Sequence, residues 1–159
     1  MRKLFLGLVL ALSMVACTVP SDYFEKISNE VASVIQSHDR FMASLSAPID
    51  AGKVQDSYVT SHDAAKAALD VLQNMSACSG NDAYRQSAVD LVSTYVSFYE
   101  SDFSPVLEAI RAGGNGEELE NQLKSVKSDF ATKSVEKTQV FMENTKAFMK
   151  EFDLYKADF

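Results

Sequence analysis

The residues best suited to chemistry are two matching triplets, Ser37-His38-Asp39 and Ser61-His62-Asp63, which hold the only two histidines of the chain. The match extends to Ala43/Ala67 and Leu45/Leu69. Imidazole is a good transition-metal ligand, and cores of helical bundles host such sites. The sharp reading is therefore a metal or small-ligand site held by His38 and His62, with Tyr95 nearby. Against it stands a plainer role, in which the histidines bond each other, a tyrosine or water and fix helix register, because buried polar groups need partners. Two imidazoles fall short of the four ligands of a closed zinc site. No Glu-x-x-His pair is present, and Asp39 and Asp63 point away from the seam that carries the histidines. The plainer role is the stronger expectation, and no cofactor is expected.

The two cysteines are the other reactive side chains. Cys17 follows a stretch ordered like an export signal. Arg2 and Lys3 supply positive charge, Leu4 to Leu12 an apolar run, and small residues lead up to the cysteine. That run is too short to span a bilayer, which takes about 20 residues. Cys78 lies beside Ser79-Gly80; with Cys17 modified it would be buried or would pair between chains. Nucleophile elbows, phosphate-cradling glycine loops and haem-attachment motifs do not occur in the sequence, and the expectation is a protein that is not an enzyme.

Helices must position these residues. Proline and glycine cut the chain after residue 21 into four segments of helical period. The first, about Asp22 to Ser46, carries the stripe Phe24, Ile27, Val31, Val34, His38, Phe41, Leu45, with Asp22 and Glu25 at capping-box spacing. The second, about Lys53 to Ala77, carries Tyr58, His62, Ala65, Leu69 and Leu72, with Gly80 as a left-handed cap. The third, about Asp82 to Ala112, is aromatic (Tyr84, Tyr95, Phe98, Tyr99, Phe103), with a kink expected at Ser104-Pro105. The fourth, about Gly116 to Leu154, opens on Glu117, Glu118 and Glu120, and its apolar stripe lapses at Ser134 and Lys137. Short connections favour antiparallel neighbours. The expected fold is all-α, an antiparallel up-down-up-down four-helix bundle, with residues 1–16 a signal peptide, 17–21 a tether and 22–159 one domain. Counting along such a bundle puts the two histidines at one height, in a polar layer across its middle.

Removing residues 1–16, which hold Arg2 and Lys3 and no acid, takes the net charge from −7 to −9. That balance excludes nucleic acid as a partner and gives no basic patch for anionic lipid.

Met14-Val15-Ala16-Cys17 resembles the lipobox of bacterial lipoprotein signals, with Met14 where leucine is usual. The resemblance implies cleavage before Cys17, a thioether-linked diacylglycerol on its sulfur and acylation of its new amino group. It also implies an outer-membrane location, since Thr18 is not the aspartate that retains enteric lipoproteins at the inner membrane. The alternative is an ordinary secretory signal cleaved near Ala16. Thr18-Val19-Pro20 would hold the domain within about 10–14 Å of the headgroups, where an envelope protein is the expected partner. Ala83-Tyr84 through Ile110, with Phe103-Ser104-Pro105-Val106-Leu107-Glu108, resembles a family of uncharacterised helical bacterial surface lipoproteins. The likeness continues through Phe130-Ala131-Thr132-Lys133 and implies a helical fold and a surface location only, since the family has no established activity.

Overall fold

The computed structural model of the chain describes residues 19–46, 48–80, 82–114 and 116–156. The signal segment and Cys17 lie outside the described residues. Five α-helices account for most of the rest: α1 (Pro20–Ser44), α2 (Ala51–Asn74), α3 (Ala83–Ser97), α4 (Ser104–Arg111) and α5 (Glu117–Glu151). Phe98–Asp102 forms a π-helical turn between α3 and α4, Leu154–Lys156 a 3-10 turn after α5, and no strand occurs among the described residues. The chain is all-helical.

Each helix end has a local cause. Helix α1 starts on Pro20, whose fixed φ suits a first turn and whose missing N–H would be unpaired there anyway. Asp22 thus falls inside the first turn, and Val19, which has no side-chain acceptor, occupies the cap in place of the expected Asp22–Glu25 box. At α2 the Asp50 carboxylate accepts from the Gly52 and Lys53 amides at 3.0 and 3.1 Å. Helix α2 ends at Asn74, ahead of the expected Ala77, because Met75 is extended. Gly80 has positive φ, but in the connection to α3 and not as a helix cap. The end of α4 matches the expected glycine stop. The Gly113 amide bonds the Ile110 carbonyl at 3.0 Å and the Gly114 amide bonds that of Ala109 at 2.9 Å, with Gly113 at φ +77°.

The expected third helix is divided. Pro105 cannot donate to the Ser101 carbonyl, and its ring would strike that group in a continuous helix. The turn just upstream widens instead, and the Phe103 amide reaches back five residues to the Phe98 carbonyl at 2.8 Å. Pro105 then occupies the opening turn of α4.

Helix α2 packs on α1 and α3, α3 also on α5, and α4 on α5 and α2. The α1 stripe is buried as expected from Ile27 to Leu45, with Phe24 partly buried. On α2 the buried set is Val54, Ser61, Ala65, Ala68 and Leu72, so the inward face is turned by about one residue from the expected stripe. Ser61 and Ala68 are small enough to let α1 and α2 approach closely, which leaves His62 on the shoulder. Leu119, Leu123, Val126 and Phe130 bury the first half of α5, and from residue 131 to 147 nothing on it is fully buried. This is the lapse expected at Ser134 and Lys137.

Asp50→Ala removes two hydrogen bonds from the exposed start of α2. Urea unfolding should show a loss of about 1 kcal/mol; an unchanged midpoint would mean that the cap contributes nothing.

Candidate functional site

The π-helical turn gathers the polar groups of the interior. Tyr99 sits in it, fully buried. Its hydroxyl lies 2.9 Å from His38 Nδ1 on α1. Its carbonyl, which would accept from Phe103 in a regular helix, accepts instead from the Tyr58 hydroxyl on α2 at 2.9 Å. The next residue, Glu100, meets His62 Nε2 at 3.1 Å and Lys66 Nζ at 3.5 Å, both from α2. Asp102 is paired with Lys133 of α5 at 2.8 Å. Three helices therefore hold one irregular turn.

His38 is 5 % exposed. Its ring is boxed by Phe130 at 4.5 Å between centroids, Tyr95 at 5.0 Å and Phe98 at 5.1 Å, the last two edge-on. Burial in this apolar box lowers the imidazole pKa to about 4, while Asp39 pulls weakly the other way. The ring is consequently neutral at pH 7. A neutral imidazole carries one donor and one acceptor nitrogen, and the Tyr99 hydroxyl can serve Nδ1 in either tautomer.

The serines of the two triplets meet directly. The Ser61 hydroxyl donates to the Ser37 carbonyl at 2.8 Å, and the Ser37 hydroxyl donates to Ser61 Oγ at 3.2 Å. Nearer the α1–α2 connection, Ser44 and Ser57 pair at 2.8 Å. The matching heights read from the sequence thus hold for the serines. The histidines part company: both rings lie within 6 Å of the Tyr99 ring, but His38 bonds its hydroxyl inside while His62, 19 % exposed, reaches Glu100 at the rim. Hydrogen bonding to His62 is the main cause of a lowered Glu100 pKa.

Tyr95 stands in the same cluster, packed edge-on against His38 and Phe130. Burial raises its hydroxyl to about 12. The polar partner of His38 is Tyr99, which the sequence places only within a widened apolar seam. Glu100 was equally hidden. No group of three or more His, Cys, Asp or Glu among the described residues could hold a metal ion. Surface clefts of about 400 Å³ flank the outer ion pair of the turn, one lined by Asp102, Pro105, Gln122 and Asp129 and another by Ser93, Ser97, Lys133 and Lys137.

Comparison with protein-family models, curated proteins and solved structures finds no match for this chain. The groups of the site face one another, not a shared empty position, and this suits holding helices in register.

Cys78 lies in the α2–α3 connection, fully buried and disulfide-bonded. The same connection is tied down by Arg85, which forks onto Asp82 at 2.6 Å through two nitrogens and donates to the Leu72 carbonyl at 2.9 Å.

The burial of His38 predicts a particular pH dependence. Its pKa is 6.5 ordinarily and about 4 in the fold, so as pH falls the unfolded chain binds the proton first. The stability contributed by neutral His38 is complete above about pH 6.5, declines between about 6.5 and 4, and is gone below that window, a loss of about 3 kcal/mol. Urea unfolding at pH 7 and pH 4.5 should show His38→Gln less stable than the parent at pH 7 yet less sensitive to acid. Parallel pH dependence in the two proteins would show that His38 is not the group responsible.

Proposed function

We propose that this chain is an exported bacterial lipoprotein, held at an envelope membrane by lipid on Cys17, whose helical domain is a non-enzymatic module for contact with another envelope protein. The fold is read as an antiparallel up-down-up-down four-helix bundle, with α3, the π-helical turn and α4 together forming a bent third member.

The observation that carries the reading is where the first helix starts. Helix α1 begins at Pro20, and only Thr18 and Val19 separate it from Cys17. A folded domain starting directly after a lipobox-like tetrapeptide is the layout of a protein that works close to a bilayer. Two or more acyl chains give a stable anchor, since each buried methylene adds about 0.8 kcal/mol and a single chain binds only marginally. No described helix is long and apolar enough to cross a membrane, so attachment at Cys17 is the route that the sequence offers. The non-enzymatic reading draws on the interior: His38, Tyr99, Tyr58, His62 and Glu100 are engaged with one another in holding the fold. The resemblance to helical surface lipoproteins points the same way.

The disulfide state of Cys78 favours a second reading. A disulfide needs two sulfurs, and Cys17 is the other cysteine of the sequence. One sulfur cannot carry both a thioether and a disulfide. An exported domain cleaved near Ala16 and closed by a bond between its own cysteines is therefore the competitor.

Intact mass of the mature protein from the producing bacterium separates the two. The lipoprotein reading expects diacylglycerol and acyl mass on the Cys17 peptide, and expects Cys17→Ser to move the protein from the membrane to the soluble fraction. A lipid-free chain with its cysteines joined would establish the competitor.

A further inference from the structure

We propose that the end of the fold where α1 begins and α5 finishes rests on the lipid headgroups of the anchoring bilayer, with Tyr155 as the side chain that enters the interface. This inference rests on the lipid-anchor reading and adds to it an orientation and a contact surface.

Packing brings that end together. Tyr23, in the first turn of α1, stacks on Phe148 near the end of α5 with ring centroids 5.6 Å apart, and Phe148 packs on Phe152 at 4.6 Å. Tyr84, at the start of α3, packs on Phe148 at 5.1 Å. The chain outside the described residues enters here. Two Cα–Cα steps of 3.8 Å mean that Val19 lies at most about 7.6 Å from Cys17, so an anchored Cys17 fixes this end close to the membrane.

The exposed side chains are arranged to match. Among the described residues six large hydrophobic side chains are exposed, with Val19 at 43 % and Tyr155 at 60 %. Both belong to the tether end. The Tyr155 hydroxyl donates to the Lys146 carbonyl at 3.4 Å, which leaves the ring outside the core. A tyrosine ring is well suited to headgroup level, where its apolar body and polar tip are both satisfied. The opposite end carries none of the six. It is formed by the Asp50 turn, Gly113–Gly114 and exposed Glu117, Glu118 and Glu120, with exposed Lys53 and Arg111 beside them. Charge at the tether end is mixed, with exposed Lys146 and Lys150 beside exposed Asp22, Glu151 and Asp153. Contact there depends on the anchor and the apolar side chains, not on a basic patch.

The test uses the full-length chain, exported and processed in bacteria, with a photoreactive phenylalanine analogue placed singly at Tyr155, Val135 or Glu118. Isolated membranes are irradiated and adducts are read by mass spectrometry. Lipid adducts from Tyr155, with none from Val135 or Glu118, are the expected result. Membrane-bound protein whose Tyr155 probe gives no lipid adduct, or gives no more than the Glu118 probe, overturns the proposed surface and leaves the anchor standing. Protein recovered in the soluble fraction without lipid mass overturns the anchor, and the surface with it.

Discussion

A buried hydrogen bond between His38 and Tyr99 is the constraint around which the middle of this molecule is organised. An imidazole inside an aromatic box would lose its water without compensation, and an unpaired buried polar group costs about 1–3 kcal/mol. The Tyr99 hydroxyl supplies a partner at 2.9 Å. That in turn commits the backbone of Tyr99 to a place where α1 can reach it. Phe130 of α5 closes the box from the other side, so helices distant in sequence are brought to one point. Moving α1 or the turn breaks the bond between imidazole and hydroxyl, and moving α5 takes Phe130 from the box.

Pro105 is the remote cause of that arrangement. The π-helical turn it forces upstream takes the Phe103 amide away from the Tyr99 carbonyl, and the Tyr58 hydroxyl fills the vacancy from α2. An irregular turn that would weaken a lone helix here becomes the point where α1, α2 and α5 all attach. Its outer residues are held by ion pairs, Glu100 to His62 and Lys66 and Asp102 to Lys133. Exposed pairs of this kind contribute little individually; the buried hydrogen bonds and ring packing set the register. This gives the interior histidine a structural task, which fits a protein whose contacts with its surroundings are made by its outer faces and its ends.

Much of this was legible in the sequence, and the failures have physical reasons. The α1 stripe from Ile27 to Leu45, the glycine stop at Gly113-Gly114 and the lapse in the α5 stripe could all be read from periodicity and turn chemistry. The repeated triplets do come together, through Ser37 and Ser61 and not through the histidines to which the sequence pointed. The π-helical turn could not be read, because a period of 3.6 has no place for the extra residue that widens a turn. Tyr99 therefore looked like one more apolar neighbour in the seam, and nothing in the periodicity singled out Glu100. The inward face of α2 was misread by one position because periodicity favours large apolar side chains, whereas close approach of two helices is governed by small ones such as Ser61 and Ala68. His62 lost its seam position for that reason. Proline gave the break near residue 105 but not its form, since the same missing N–H allows a kink, a restart or a widened turn.

The central claim is that His38 is a neutral structural residue bonded to Tyr99. Nitrogen-detected NMR of the ring, followed from pH 8 to pH 4, tests it most directly. The structure predicts two distinct ring nitrogens, one protonated and one not, whose shifts stay constant through pH 6.5 and move only as pH approaches about 4. An imidazole that titrates near 6.5, as an exposed histidine does, would contradict the buried bond and the account built on it.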